Sequence, residues 1–414
     1  MHAYTGLKVL DLSQGIAGPV AAGLLARQGA RVIKVEPPRG DWMRGAGGGR
    51  EGMTANVIAG NLNKRSLAVD AAKPQGREVI ERLARAADVL IENFRPGVME
   101  KLGLGYAALA ALNPALVYCS ISGFGTSGPW AGKAGTDSVL QAYTGMAAVN
   151  SPPGAPPRRM GLYVPDNITA LYAAQAIGAA LYLRDGVRDG RPDGLRDDSP
   201  GGLRDGGRTT RKERRGRHIE ISLVECCAAF QAAPITDALL FPDAAAKPAA
   251  VAPAGEFQAR DGWLVAACLD DAMFARLAQA LGQAHWSADP DYAGGAARRA
   301  RAREVNAMVA EIIATDTLAA WLARLEGADV LCSPVHDYHA LLEHAQMQHV
   351  DCMRAITQAP YGALRVPQLP ACEAPPEAAP RVGEHSRAIL LETGYSEGEI
   401  GALVAAGVVH VMKN

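Results

Sequence analysis

Along the first third of the chain, short apolar runs alternate with longer segments that have the character of helices. The apolar runs predict five strands, over residues 7–13, 31–36, 66–70, 88–94 and 115–122. Helices are predicted between them over 19–30 and over 74–86, where a proline stands near the first turn. Strands separated by helices are typical of a parallel sheet with helices on both faces. The fold class is therefore α/β.

The segments that follow the predicted strands are rich in Gly, Pro, Arg and Asn, as binding loops are. In a parallel α/β sheet, the ligand lies outside the carboxyl ends of the strands, where these segments meet. The first of them, SQGIAGP, lacks the G-x-G-x-x-G fingerprint of dinucleotide binding. Two interpretations stand for the basic residues near this edge, a polyphosphate site or solvated surface charge. These residues are Arg39, Arg44, Lys64, Arg65, Arg95 and Lys101.

The second half of the chain differs in pattern from the first. Residues 184–217 repeat RDG three times and contain almost nothing apolar, which predicts a disordered surface insertion. Residues 257–268 indicate two strands that are joined at Asp261–Gly262, a hairpin signal. Helical segments follow this hairpin, so a second, smaller α/β domain is predicted.

A chain of 414 residues is too long for one ordinary core, which favours two domains. The predicted boundaries are a large domain over 1–231, a linker over 232–253, a small domain over 254–345, a linker over 346–381 and a closing segment over 382–414. Both linkers are placed where proline and alanine accumulate.

The formal net charge of −1 provides no field that favours nucleic acid or an anionic membrane surface. An anionic ligand must therefore be met by local basic residues. The seven cysteines contain no C-x-x-C pair and are interpreted as reduced thiols. The N-terminus has no basic and apolar leader, and no apolar run has transmembrane length. We expect a cytoplasmic protein without nucleic-acid or membrane partners.

One acid, Asp166, stands at the head of a long apolar helical stretch, 161–184. As an N-cap, its carboxylate would accept a backbone N–H of the first turn, although Thr169 leaves a capping box incomplete. The alternative is a reactive carboxylate. On these residues alone the cap is favoured, since caps are commoner than nucleophiles. The sequence has neither an H-E-x-x-H zinc spacing nor a G-x-S-x-G elbow, so no metal is predicted.

Several long strings of the chain resemble family III CoA transferases, the CaiB/BaiF group that includes formyl-CoA:oxalate CoA-transferase. The first is AGPVAAGLLARQGARVIKVEPPRGDWMRG, followed by NLNKRSLAVD and by the stretch from ADVLIENFRPGVMEKLG to SGFGTSGP. The likeness continues through DNITA at 166–170, RGRHIEISLVE at 215–225 and VGEHSRAILLETGYS at 382–396. It covers nearly the whole chain apart from 184–217.

The resemblance implies a site and a quaternary structure. The nucleophilic aspartate of the family falls on Asp166. The family's CoA contacts fall on Ile16, Ala17, Arg39, Val69, Asp70, Ala71, Ala72, Asn93, Phe94, Arg95 and Lys101. CoA or acyl-CoA is then a substrate, and no tightly bound cofactor is expected. The implied fold is a Rossmann-like large domain, completed by the closing segment, with a small α/β domain in an interlocked homodimer.

The implied function is transfer of CoA from an acyl-CoA donor to a free carboxylic acid. It would run through a mixed anhydride and an aspartyl-CoA thioester on Asp166. Two alternatives stay open, an acyl-CoA racemase or isomerase of the same family and a CoA-binding protein without turnover. The related racemase carries His in a G-H-D motif where this chain has Gly135–Thr136–Asp137, which counts against racemisation.

Other departures concern the acceptor acid. Formyl-CoA transferase has Gln at Ile16 and Arg at Pro37, and its glycine-rich active-site loop is reduced here to the surroundings of Gly255. Oxalate is therefore a poor prediction for the acceptor. Arg158 and Arg159 precede Asp166 and have two interpretations, as loop surface or as partners for the second carboxylate of a dicarboxylic acid such as succinate.

Overall fold

The computed structural model describes residues 2–151, 154–185, 214–242 and 249–412. The chain divides into two compact units. The large unit comprises Met1–Ala232 and Cys352–Asn414, and the small unit comprises Ala233–Asp351. Most of the predicted insertion, 184–217, lies outside the described residues.

The N-terminal part of the large unit contains eight strands within its described residues. They are β1 (Lys8–Asp11), β2 (Arg31–Glu36), β3 (Gly49–Arg50), β4 (Met53–Thr54), β5 (Lys64–Val69), β6 (Val89–Glu92), β7 (Val117–Ser122) and β8 (Arg217–Ser222). The five strands predicted from apolar runs correspond to β1, β2, β5, β6 and β7. The boundaries of β2 agree at both ends, because the strand begins directly after Gly29 and Ala30 and ends before Pro37 and Pro38.

Helices separate these strands. They are α1 (Ala17–Arg27), α2 (Ala55–Asn61), α3 (Pro74–Ala84), α4 (Val98–Lys101), α5 (Tyr106–Leu112), α6 (Asp137–Tyr143), α7 (Met146–Val149), α8 (Val164–Asp185) and α9 (Leu223–Phe230). A short 3₁₀ helix, Trp42–Gly45, follows β2. Helix α8 extends to Asp185 and β8 begins at Arg217, so both edges of the predicted insertion have regular structure.

The small unit has its own core. Its elements are α10 (Ala232–Leu240), β9 (Ala254–Ala259), β10 (Gly262–Ala267), α11 (Asp271–Ala280), α12 (Gly295–Ala300), α13 (Ala302–Ile313), α14 (Leu318–Gly327), β11 (Leu331–Pro334), α15 (Tyr338–Glu343) and α16 (Ala345–His349). The predicted hairpin is present as β9 and β10, with Gly262 as the first residue of β10. The predicted linker 232–253 differs from the structure at its start, where α10 forms.

The closing part of the chain belongs to the large unit. Its elements are β12 (Met353–Gln358), β13 (Gly362–Pro367), α17 (Ser386–Glu392), α18 (Glu397–Ala405) and β14 (Val409–His410). Strands β12 and β13 form an antiparallel hairpin inside the stretch predicted as a linker, 346–381. Apolar side chains of this hairpin, Ile356 and Val366, are buried in a cluster with Met53 and Ile58, which explains why the segment is ordered.

A sheet of seven strands in the order β14-β5-β2-β1-β6-β7-β8 forms the centre of the large unit. All its neighbouring pairs are parallel except β14 with β5. The predicted parallel α/β sheet is confirmed. Because the strands are buried on both faces, they appear in the sequence as continuous apolar runs.

The two faces of the sheet pack against different helices. Strand residues such as Leu10, Leu67 and Leu90 belong to one core with α3, α5, α17 and α18. Their neighbours, such as Val9 and Val89, belong to a second core with α1 and α8, where alanines line both helices. Among the described residues, no single helix has the length and apolar composition to cross a membrane. Two sharply bent pairs, α9 with α10 and α13 with α14, match by length and composition only.

Candidate active site

Two cavities lie in the large unit beside the carboxyl ends of its parallel strands. The first has a volume of about 410 Å³ and is lined by Gln14, Gly15, Ile16, Trp42, Met43, Ala46, Asn93, Phe94, Arg95, Gly135, Thr136, Asp137, Ser138, Tyr163 and Asp166. The second has about 200 Å³ and is lined by Leu12, Gln14, Val35, Glu36, Pro37, Val69, Asp70, Ala71, Ala72, Ile80, Phe94, Met99, Leu102 and Leu104. Gln14 and Phe94 line both cavities. This is the edge at which parallel α/β sheets bind ligands.

Most residues of the predicted site line these cavities. Ile16, Asn93, Phe94, Arg95 and Asp166 line the first cavity. Val69, Asp70, Ala71 and Ala72 line the second, together with Phe94. The remaining predicted residues, Ala17, Arg39 and Lys101, line neither of the two. The side chain of Ala17 is buried in the core beneath α1, whereas Arg39 and Lys101 are exposed.

The helix that carries Asp166 begins earlier than the sequence predicts. Val164 and Pro165 are already helical, so Asp166 is the third residue of α8 and not its N-cap. Proline is accepted at the start of a helix because the N–H that it lacks has no partner there. The backbone N–H of Asp166 donates to Oδ2 of Asp137 at 3.3 Å. The carboxylate that satisfies this end of α8 therefore comes from the start of α6.

Asp166 and Asp137 form a pair of close carboxyl groups. Burial and the nearby charge of Asp137 raise the pKa of Asp166 to about 7. Burial also raises the pKa of Asp137, against hydrogen bonds from Gln141 and the Asp166 N–H and the charge of Arg159. Among the residues that the structure describes, no Lys or Arg forms an ion pair with Asp166. Such a carboxyl group, desolvated and unpaired in a cleft, is typical of a functional site.

Gln141 holds Asp137 in place. Its Nε2 donates to Oδ1 of Asp137 at 2.7 Å and to the carbonyl of Leu162 at 3.0 Å. Its Oε1 accepts the N–H of Met160 at 2.8 Å. One buried amide thus ties the segment before α8 to the carboxylate beside Asp166.

Asp41 anchors another part of the wall of the first cavity, the lining residues Gly15 and Met43. Its carboxylate accepts the N–H of Gly15 at 3.0 Å and the N–H of Met43 at 2.9 Å. Lys34 donates to the same carboxylate at 3.0 Å. Gly15 has a φ of +81°, and a Cβ at this position would lie 2.8 Å from the ring of Trp42. The close packing of Trp42 therefore requires glycine at position 15.

Asn93 joins two of the cavity loops through its side-chain amide. Its Nδ2 donates to the carbonyl of Gln14 at 2.6 Å, and its Oδ1 accepts the N–H of Gln14 at 2.8 Å. Next to it, the Glu92 carboxylate accepts the N–H of Phe94 at 2.8 Å. Burial raises the pKa of Glu92 to about 7. The loops after β1 and β6 are thereby fixed before any ligand binds.

Three of the six basic residues pair with carboxylates, and the polyphosphate interpretation is wrong for the two that are buried, Arg44 and Lys64. Both Nε and Nη2 of Arg44 donate to Glu36 at 2.8 Å, and Lys64 donates to Asp11 at 2.7 Å. Arg65 pairs with Glu392. The three cations are attracted to carboxylates of neighbouring elements, which the local sequence does not reveal. Arg39, Arg95 and Lys101 are exposed.

Several lining residues escaped prediction from the sequence. Trp42 and Tyr163 are large, exposed aromatic residues at the cavity. In the sequence, an aromatic residue in a loop segment is a usable signal of a binding site. Asp137 had one signal, its place in Gly135–Thr136–Asp137 where the related racemase has G-H-D, but no local spacing indicates its contact with Asp166. Ser138 follows it and also lines the first cavity.

Comparison with known proteins identifies the family of the chain. The sequence matches CoA-transferase family III over residues 4–192 and 208–386. It is 30% identical to a succinyl-CoA–D-citramalate CoA-transferase of Chloroflexus aurantiacus, with 97% of each chain covered. It is 31% identical to a succinate–glutarate CoA-transferase of Agrobacterium fabrum, over 94% of this chain and 95% of the relative.

A solved structure supports the same assignment. The chain is similar to a CaiB/BaiF family protein from Brucella suis, with 30% identity and a TM-score of 0.76, over 95% of this chain and 99% of that one. The resemblance stated from the sequence is confirmed. The chain belongs to CoA-transferase family III and is a CoA-transferase.

Proposed function

We propose that the protein moves CoA from an acyl-CoA donor to a free dicarboxylic acid, with Asp166 as the nucleophile. One observation carries the proposal. The Asp166 carboxyl group lines the first cavity, is unpaired with any described cation, and stands in the first turn of a long helix. The dicarboxylic acceptor is inferred from the relatives that act on citramalate and glutarate.

The chemistry proceeds in four exchanges of acyl groups. An oxygen of Asp166 attacks the thioester carbonyl, the C–S bond breaks, and CoA thiolate leaves a mixed anhydride. The thiolate attacks the Asp166 carbonyl and releases the donor acid as a carboxylate, which leaves an aspartyl-CoA thioester. The acceptor carboxylate attacks this thioester and displaces the thiolate. The thiolate then attacks the acceptor carbonyl and regenerates Asp166.

The surroundings of Asp166 suit this role. Its partly buried position leaves the ionised carboxylate poorly solvated, and the charge of Asp137 opposes ionisation further. Both costs disappear when Asp166 is acylated, because the acyl derivative is neutral. The helix N-terminus provides a positive dipole end for the oxyanion that forms at the Asp166 carbonyl. Asp137 acts here as a positioning residue, through the N–H of Asp166.

CoA itself is proposed to lie along both cavities. The adenine would pack at Val69, Asp70, Ala71 and Ala72 in the second cavity, and Phe94 would separate it from the reacting end. Arg39 and Lys101 are close in sequence to lining residues Pro37 and Leu102, and their exposed cations suit the phosphates. Arg95 lines the first cavity beside Phe94 and serves the same purpose.

The test is a transfer assay with purified protein, acetyl-CoA or succinyl-CoA, and a panel of acids. Mass spectrometry follows new acyl-CoA species and the covalent adduct on the peptide that contains Asp166. Asp166→Asn keeps the shape of the side chain, and we expect it to lower exchange at least ~10³-fold with CoA binding retained. Exchange by the variant within tenfold of the wild type would refute the nucleophile. Epimerisation of a 2-methylacyl-CoA, or binding without exchange, would favour the two alternative functions.

We also propose the interlocked homodimer that the resemblance implies. Leu171, Tyr182 and Leu183 of α8 are exposed in the single chain, by 60%, 69% and 48%, which supports a partner surface on this helix. Light scattering coupled to gel filtration is expected to give twice the chain mass of 43.3 kDa. A mass of one chain at micromolar concentration would contradict the dimer.

A further inference from the structure

We infer that Arg159 recognises the distal carboxylate of a dicarboxylic substrate and makes the enzyme selective for dicarboxylic over monocarboxylic acids. The inference rests on the proposed CoA transfer at Asp166 and assigns the residue that selects its substrate.

The backbone on both sides of Arg159 is anchored. The N–H of Arg158 donates to the carbonyl of Ala147 at 3.0 Å and to Oγ of Ser151 at 2.7 Å. The N–H of Met160 donates to Gln141 at 2.8 Å. Arg159 therefore starts from a fixed backbone position, although it lies in the loop between α7 and α8.

The side chain of Arg159 reaches the wall of the first cavity. Its Nη1 donates to Oγ of Ser138, a residue that lines this cavity. Ser138 directly follows Asp137, whose Oδ2 accepts the N–H of Asp166. The charge of Arg159 also lowers the pKa of Asp137, which agrees with its place beside the two carboxyl groups. The guanidinium is thus coupled to the wall that carries the nucleophile.

The charges of the cavity explain why a cation is needed here. Asp137 and Asp166 both line it, and together they repel a substrate that keeps a second negative charge. Among the described lining residues, Arg95 is the sole cation, and it lies beside Phe94 on the side proposed for CoA. Arg159 supplies a second cation on the side of α6 and α8. A guanidinium has five donors in a planar fork, so the bond to Ser138 leaves others for a carboxylate.

The neighbouring Arg158 provides a matched control. Its side chain is exposed, as is that of Arg159, and the bonds of Arg158 to Ala147, Ser151 and Asn150 all use its backbone. Replacing its side chain removes one positive charge from the same loop and leaves the contact with Ser138 intact. An effect of net charge alone would appear in both variants.

The experiment compares wild type, Arg159→Met, Arg159→Lys and Arg158→Met with acetyl-CoA as the donor, because its acyl group has no distal carboxylate. The acceptors are succinate and glutarate against butyrate and valerate, which have the same chain lengths with one carboxylate. We expect Arg159→Met to lower kcat/KM for the dicarboxylates ~100-fold and for the monocarboxylates less than ~3-fold. Arg159→Lys should keep part of the selectivity, and Arg158→Met should change both acceptor classes by less than ~2-fold.

The other possible results refute either the role of Arg159 or the proposed function itself. An equal loss for both acceptor classes assigns Arg159 a structural role through Asp137 and refutes the inference. An unchanged ratio, or a wild type that prefers monocarboxylates, refutes it and leaves CoA transfer at Asp166 intact. Absence of exchange by the wild type with every pair refutes the proposed function first, and the inference falls with it.

Discussion

Two parts of the wall of the first cavity differ in whether their buried carboxylates have a cation as a partner. Behind the wall formed by the loops after β1 and β2, buried Lys34 lies 3.0 Å from Asp41, and buried Lys64 lies 2.7 Å from Asp11. On the wall formed by α6 and α8, two carboxyl groups face each other and no described cation forms an ion pair with Asp166. A buried charge that loses its partner costs stability, whereas a desolvated carboxyl group with a raised pKa in a cleft is a candidate for reaction. The contrast separates the scaffold of the site from its chemistry.

The largest expected effect comes from removing one cation from the buried ion pairs behind the loops after β1 and β2, which we call the paired wall. Lys34→Met removes the cation that donates to Asp41 and to the carbonyl of Ser13, and one lysine then remains beside the two buried aspartates Asp11 and Asp41. We expect the free energy of unfolding of the large unit to fall by about 3–5 kcal/mol. Hydrogen exchange of β1, β2 and β5 in urea measures this loss.

A surface pair supplies the control for this variant. Arg65 and Glu392 form an ion pair with both side chains exposed, by 36% and 58%, so solvent screens it. Arg65→Met should therefore cost below ~1 kcal/mol by the same measurement. Equal losses for the two variants would show that the buried cluster holds the loops no more firmly than a surface pair does.

The second prediction applies one substitution to both walls. Asp166→Asn removes a charge that is costly in the folded state, so at pH 8 we expect the free energy of unfolding to rise by about 2 kcal/mol. Asp41→Asn removes a charge that accepts three donors, and stability should fall. Chemical denaturation of both variants at several pH values measures whether the free energy of unfolding rises for Asp166→Asn and falls for Asp41→Asn.

The pH dependence of Asp166→Asn follows from the raised pKa. Between the ordinary pKa of 3.8 and about 7, the folded wild type binds more protons at this group than the unfolded chain does. This contribution to its stability therefore falls as the pH rises through that window. The advantage of the variant should be complete above pH 7 and absent below pH 4. A variant no more stable than the wild type at pH 8 would contradict the unpaired state of Asp166.

The paired wall also shows where prediction from the sequence ends. The central strands could be located because burial on both faces leaves apolar runs, as in Val89–Leu90–Ile91 of β6. The hairpin β12–β13 was missed, although its strands alternate around Tyr361 and Gly362, because the surrounding prolines indicated a linker. Arg44 and Lys64 were interpreted as candidate anion ligands, since their carboxylate partners are set by tertiary packing.

The unpaired wall could be predicted only in part. Asp166 was named because it stands alone before an apolar helix and because of the family resemblance, whereas its N-cap position was wrong. The contact with Asp137 joins two helix starts that are 29 residues apart, and no local spacing encodes such a contact. The sequence therefore singled out Asp137 only through the racemase motif, and its part in raising the pKa of Asp166 became visible only with the fold.

The last and smallest predicted effect concerns this contact. Asp137→Asn removes the negative charge that helps to raise the pKa of Asp166 to about 7. We expect the pH at which kcat/KM is half-maximal on the acid side to fall by about one unit, because Asp166 then ionises at lower pH. The rate plateau also drops, since Gln141 needs an acceptor and the Asp166 N–H needs another, and an asparagine offers one oxygen for both.

Glu92 must be excluded as the source of the acid-side midpoint, since burial raises its pKa to about 7 as well. Its carboxylate accepts the N–H of Phe94. Glu92→Gln keeps an oxygen for that N–H and removes the titration. If Asp166 governs the acid side of the profile, the midpoint moves in Asp137→Asn and stays in Glu92→Gln. If the midpoint instead moves in Glu92→Gln and stays in Asp137→Asn, the acid side of the profile reports ionisation of Glu92. The contact of Asp137 with Asp166 would then have no part in the pH dependence.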